Sequence, residues 1–351
     1  MSTYKRDIIR NQAINESCLE NPIIRIVQWN IFAQGFVVAD NYQYCKPEDL
    51  TLENRKLLFK KEFECFNADI YCFQEADIHK DLLGILNNGN KEYDEIFVEK
   101  KKSPCLLYPN NYGPDGCSIN FLIPKTSGEM DLPLTLFYRA LASSIITKKF
   151  QCLQNLVIDF EEIGQYRCLF SVFSPKSNPD IKFIIACTHL KSKKQYEDWR
   201  LKQCEYLLSN LNDLMEKWST TNAFICGDFN ASPNEKAIKN VQNSHLNLVN
   251  VYEELKTDSN ENRYYTTWSF RKNLSATKRI TSQLSSSLID SHEHMDAIDY
   301  IWYTKPLDFS NKIHNFRILP LSIIDVPSKE EIGIYGLPSD KYPSGSPLSY
   351  C

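Results

Sequence analysis

Six polar residues stand at or near the ends of apolar runs, and their types define a chemistry. Asn30 closes IIRIVQWN, Glu75 closes ADIYCFQE, and His189 sits near the end of KFIIACTHL. Asp228 and Asn230 end NAFICGDFN, and Asp299 lies within DAIDYIWY. Such groups are costly to bury unless paired. In α/β proteins, ligands and catalytic groups gather at strand ends, where a rigid sheet aims them into a shared crevice. If these ends converge, one site holds three carboxylates, two amides and one imidazole. Carboxylates with amides are hard oxygen donors, suited to Mg²⁺ rather than zinc. Acids beside an imidazole suit metal-assisted attack of water on a phosphate ester. Period-two geometry puts Asp228 and Asn230 on one face of their strand.

Taken singly, each has a plainer reading. Glu75 reads equally as a solvated strand end. Asp228 and Asn230 could merely build an Asx turn, and His189 could cap the helix that follows. Asp299 resists this treatment, because an acid inside an aromatic strand needs a partner. The joint occurrence favours a site.

The elements that must position these residues are strands at 23–30, 68–75, 182–190, 222–230 and 296–303, by length and by β-branched or aromatic content. Helical patterns lie between them. One covers 51–66, with Leu52, Phe59, Phe63 and Phe66 on a single stripe; another covers 194–218, with Leu207, Leu211, Leu214 and Trp218 at helical spacing. Strands alternating with helices predict an α/β architecture. Residues 272–291, rich in Ser, Thr and Lys, read as a mobile surface loop. Residues 1–21 read as a flexible arm ahead of a domain over 22–351.

The chain of 351 residues is 42% hydrophobic with a net charge of −4, so no global positive field draws nucleic acid. A local basic cleft on an acidic protein stays open. The 12 cysteines form no CxxC pair and no Cys/His ligand spacing, which argues against zinc. Cys72, Cys187 and Cys226 sit inside apolar runs, as reduced thiols do. A reducing compartment follows, with the cytoplasm as the expectation. Lys5, Arg6 and Arg10 give only a weak mitochondrial pattern, offset by Asp7 and Glu16. No apolar run reaches membrane-spanning length, and neither repeats nor heptads mark an obligate protein partner.

QWNI at 28–31, FQE at 73–75, PDGCSINF at 114–121, THLK at 188–191, GDFN at 227–230 and DYIWY at 299–303 occur in the order found in the exonuclease–endonuclease–phosphatase superfamily. KSPCLLYPNNYGPDGCSINFL at 102–122, YTTW at 265–268 and LPSDKYPS at 337–344 resemble its nocturnin branch, related to the deadenylases. The resemblance implies a four-layer sandwich, two packed mixed β-sheets flanked by helices, and Mg²⁺-dependent hydrolysis of a phosphate ester, with Mn²⁺ as a substitute. It implies Glu75 as the principal metal ligand, with Asn30 beside it and near substrate. Asp228 matches the residue that orients or deprotonates the attacking water, Asn230 one that positions water and phosphate, and His189 a phosphate contact. Asp299 matches the carboxylate that holds a catalytic histidine near the chain end. Lys191 falls where the family places a basic residue near substrate phosphates. Lys193 stands where arginine is expected, keeping the charge without the bidentate fork. Asp115 and Gly116 match a loop at the pocket rim. The implied substrate is NADP(H), losing its 2′-phosphate, or poly(A) RNA shortened from its 3′ end.

One motif departs. Family members close with a pattern like YPSDHLPL, whose histidine completes the site; here YPS is followed by Gly345, Ser346, Pro347 and Leu348. The expectations are an impaired enzyme or a nucleotide-binding pseudoenzyme that keeps the pocket without the chemistry.

Overall fold

The structure, a computed structural model, describes residues 8–10, 24–37, 47–88, 92–100, 116–123, 149–160, 163, 166–255, 266–270, 293–305, 322–324 and 349–350. Four of the five expected strands pair side by side with their polar ends at a common edge. β2 (Ile26–Asn30) and β3 (Ile70–Gln74) run parallel, with Asn30 opposite Gln74. They join β5 (Gly116–Ile123) and β4 (Glu92–Glu99) in a four-stranded mixed sheet ordered β2-β3-β5-β4. β8 (Phe183–His189) and β9 (Ala223–Asp228) also run parallel, placing His189 opposite Asp228. They are central in a six-stranded sheet ordered β10-β13-β9-β8-β7-β6, completed by β10 (Leu248–Asn250), β13 (Asp299–Thr304), β7 (Arg167–Pro175) and β6 (Phe150–Asp159).

The sheets pack face to face. Ile26, Ile70, Cys72 and Ile119 from one meet Ile185, Cys187, Phe224, Cys226 and Ile301 from the other in a shared core. Outside the four-stranded sheet, α1 (Leu52–Phe66) and α2 (His79–Leu86) bury Phe59, Phe63, Phe66 and Leu82 against Val27, Trp29, Tyr71 and Phe73. The Thr51 hydroxyl caps α1 by accepting from the Asn54 N–H, and Asn67 ends it in the left-handed region. Outside the six-stranded sheet, α3 (Glu197–Trp218) and α4 (Lys236–Gln242) bury Leu207, Leu211, Leu214 and Ile238. The result is the expected four-layer sandwich, built because every second residue of each central strand faces the partner sheet and the rest face a helix. The short helix α5 (Val251–Leu255) follows β10. β11 (Thr267–Phe270) pairs with β12 (Glu293–Asp296).

Two readings change. The run 296–303 is two elements, since β12 ends at Asp296 and β13 begins at Asp299. Asp299 therefore starts a strand; because β13 is antiparallel to β9, its first residue lies opposite Asp228, at the same edge. β7 is as buried as β8 yet went unpredicted, its apolar run interrupted by Ser171, whose hydroxyl donates to Asn155 Oδ1 at 2.8 Å. Within the segment read as an N-terminal arm, β1 (Ile8–Arg10) pairs with β14 (Ser322–Ile324), which also pairs with β15 (Ser349–Tyr350). The expected loop at 272–291, Asp115 and the Gly345-Ser346 motif lie outside the described residues.

Candidate active site

Period two explains most of the convergence. His189 shares its face with Ile185 and Cys187, Asp228 with Phe224 and Cys226, Asp299 with Ile301 and Tyr303, and Asn30 with Ile26, so all four face the partner sheet. Glu75 breaks the rule. By parity it belongs with Tyr71 and Phe73, on the helix side. It lies one residue past β3 in the left-handed region, φ 53°, which ends the alternation. Its carboxylate accepts from Asn30 Nδ2 at 3.0 Å and from the Ala33 N–H at 3.1 Å.

Asn30 links the two sheets. Its amide nitrogen donates to Glu75 and also, at 2.8 Å, to Asp228 Oδ2, while its Oδ1 accepts the Phe32 N–H. It thus presents its NH₂ group to both carboxylates. Glu75 and Asp228 are 6% and 2% exposed. A ligand atom from each of Glu75, Asp228 and His189 lies within 4.8 Å of the other two. Two buried carboxylates this close repel unless a cation, a proton or hydrogen-bond donors offset them. The oxygen-rich donor set fits a hard divalent cation, with a buried imidazole as third group.

Asp228 is held from several sides. Its Oδ1 accepts the Asn230 N–H at 2.8 Å, and its Oδ2 lies 3.7 Å from His189 Nε2. The strand ends at Asp228, and Asn230 adopts φ 49°. The expected shared face therefore does not extend to Asn230, whose side-chain NH₂ instead donates to the Leu190 carbonyl at 3.0 Å. Asp299 accepts from Gln28 Nε2 and from the Thr266 hydroxyl, both at 2.9 Å. Gln28 and Thr266 fall inside the QWNI and YTTW motifs, where nothing local in the sequence marks them as partners of Asp299.

The segment after β8 brings basic groups to this edge. Lys191 Nζ lies 4.7 Å from the Tyr196 ring centroid and 5.4 Å from that of Tyr166. Lys100 Nζ lies 4.2 Å from Tyr166, whose ring meets His189 edge-on at 5.5 Å. Lys193 is exposed, and Gly116 begins β5. Sequence reasoning missed Lys100 and Tyr166, which come from distant strand ends and carry no local signal. It also missed Arg200, which had one: Arg200 stands seven residues before Leu207 on the apolar stripe of α3, where a charge demands a partner.

The sequence model described as Endonuclease/Exonuclease/phosphatase family matches residues 27–313. Nocturnin of Rattus norvegicus is 32% identical over 342 residues, covering 97% of this chain and 67% of that protein. The solved catalytic domain of human Nocturnin, with bound sulfate anion, superposes with a TM-score of 0.64 at 26% identity, over 98% of this chain and 96% of that one. The CCR4-Not complex 3′-5′-exoribonuclease subunit Ccr4 of Debaryomyces hansenii is 23% identical over 83% of this chain and 35% of its own length. The chain spans about two thirds of the length of the rat, human and mouse Nocturnins. No helix among the described residues is long and apolar enough to cross a membrane.

Proposed function

The chain belongs to the endonuclease/exonuclease/phosphatase family, and from that premise we propose that it is a Mg²⁺-dependent phosphohydrolase removing the 2′-phosphate of NADP⁺ and NADPH. The observation that carries the substrate class is the pair of ammonium groups, Lys100 and Lys191, around the Tyr166 ring beside His189. That is a compact basic wall, scaled to the remaining phosphates of one small nucleotide. The sulfate of the human Nocturnin domain, a tetrahedral oxyanion like phosphate, supports the same reading.

Glu75 is the metal ligand in this reading, with Asn30 beside it. The ion would supply positive charge to the phosphate oxygens as charge builds on them. Asp228, fixed by the Asn30 and Asn230 donors, orients the attacking water and takes its proton. His189 hydrogen-bonds a phosphate oxygen and stabilises the negative charge of the transition state. Asn230 positions water and phosphate from its turn. Asp299, tied to Gln28 and Thr266, is the carboxylate for a terminal imidazole that Gly345 and Ser346 do not supply. The buried free thiols of Cys72, Cys187 and Cys226 support a reducing, cytoplasmic setting.

A second reading, 3′ shortening of poly(A), is favoured by the similarity to Ccr4 and by the aromatic pair Tyr196–Trp199 beside Lys191, with ring centroids 5.0 Å apart. Phosphate release from NADPH with and without Mg²⁺, with Glu75→Ala as blank and poly(A) in parallel, separates the readings. Release above the blank supports the phosphatase. Nucleotide binding without turnover identifies a pseudoenzyme, and turnover of poly(A) alone moves the assignment to the nuclease.

A further inference from the structure

Arg200 is 1% exposed, yet it belongs to no catalytic group. Its guanidinium meets the backbone that carries the two lysines: Nη1 donates to the Lys191 carbonyl at 2.9 Å and to the Lys193 carbonyl at 2.8 Å. Nε donates to Glu235 at 3.0 Å, and Nη2 also bonds that carboxylate. Three residues along the same face of α3, Gln203 is fully buried and accepts the Lys191 N–H at 3.0 Å. Its amide nitrogen donates to the Ile163 carbonyl. The backbone at Lys191 is thus gripped through both its N–H and its carbonyl. Lys193, at φ 78°, holds a conformation uncommon for a side chain of its kind. Glu235 also binds the Ser232 N–H, so the same guanidinium links the lysine segment to the turn that follows Asp228.

We infer that Arg200 and Gln203 are positioning residues, a clamp that sets where Lys191 and Lys193 meet the non-reacting phosphates of a nucleotide and thereby sets affinity for it. This rests on the reading of Lys191 as a phosphate contact. A planar guanidinium reaches two carbonyls and a carboxylate from three separate nitrogens, whereas an ammonium has only one, so Arg200→Lys keeps the charge and loses the geometry. A role confined to holding α3 in place would weaken the chain regardless of which side chain stands at 191.

The test is a double-mutant cycle read by calorimetric titration of NADP⁺ without divalent ion, so that no turnover intervenes. Lys191→Ala and Arg200→Lys should each weaken binding about tenfold, and Arg200→Lys should change it by less than about twofold in the Lys191→Ala background. Equal losses in both backgrounds overturn the clamp, as does unchanged binding in Arg200→Lys when Lys191→Ala has weakened it. In either case the substrate reading stands. Unchanged binding in Lys191→Ala sinks that reading and the clamp with it. Should Arg200→Lys not fold, the cycle is run with Gln203→Met, which keeps the buried volume and removes the acceptor for the Lys191 N–H. Coupling to Lys191 then retains the clamp, and additivity overturns it.

Discussion

In the six-stranded sheet, His189, Asp228 and Asp299 sit side by side in register on one inner face, whereas in the four-stranded sheet Glu75 lies beyond the last paired residue and arrives through a left-handed turn. The first arrangement is secured by the ladder itself, since moving any one of these groups means moving a central strand. The second is secured by a loop. Arg55 Nη2 holds the Ile31 and Phe32 carbonyls at 2.6 and 2.7 Å, and the Asp77 carboxylate takes the N–H groups of Gln34 and Gly35 at 2.9 and 2.7 Å. The Ala33 N–H bound to Glu75 lies within that loop. On the proposed function, the rigid ladder half would fix the water and the loop-held half would take the ion.

The largest effects should divide along that line. Glu75→Gln and Asp228→Asn each remove one buried negative charge, and each should lower the Mg²⁺-dependent rate by up to about 10⁴-fold. They should differ in response to the ion. Raising Mg²⁺ should recover part of the Glu75→Gln loss, because a weakened site refills by mass action, while Asp228→Asn should stay slow at saturation. Identical Mg²⁺ titrations of the two variants would show that no such division of labour exists.

Restoring Asp-His-Leu in place of Gly345-Ser346 comes next. A positioned acid–base group adds about 10²–10⁴-fold, and Asp299 is already tied into the rigid half. Steady-state phosphate release should rise by about 10²-fold or more in the restored chain. No gain would mean that Asp299 serves the fold alone.

Gly227 tests the ladder directly. A Cβ there would sit 2.3 Å from the backbone carbonyl oxygen of Thr188 on the neighbouring strand. Backbone cannot swing aside as a side chain does, so Gly227→Ala should spread β8 from β9. The expected cost is about 1–3 kcal/mol, read as a lower urea midpoint together with a loss of rate. A fall in stability with full activity would show that the His189–Asp228 spacing tolerates more play than the register suggests.

The same contrast decides what was legible in the sequence. Asn30, His189 and Asp228 follow from period two along buried runs, and the helices at 51–66 and 194–218 from their apolar stripes. Glu75 was legible as a residue but not as a direction, because parity alone sends it to the wrong face. Asp299 was placed inside a strand because Ala297 and Ile298, apolar and free of Gly or Pro, hide the break between β12 and β13. Strand β7 was hidden by Ser171 within its apolar run, whereas the Tyr166–Lys100 contact joins segments far apart in the chain, and no local pattern encodes which segments will meet. Arg200 was legible in principle, as a charge on a buried stripe.

The smallest expected effect lies at Asn230, where the turn after β9 uses a left-handed residue. Two contributions meet there, the backbone at φ 49° and the side-chain bond to the Leu190 carbonyl. Asn230→Gly keeps the first at no steric cost and loses the second, so stability should fall by about 1 kcal/mol or less. Asn230→Ala loses both, and its Cβ in the left-handed region should add about 1 kcal/mol more. Urea unfolding of the pair separates backbone from side chain. If the two variants unfold alike, the turn after β9 relaxes freely, and the rigid half is rigid only as far as Asp228. If they differ as expected, the turn is held as firmly as the strand, and the loss of rate common to both variants reports the missing amide itself.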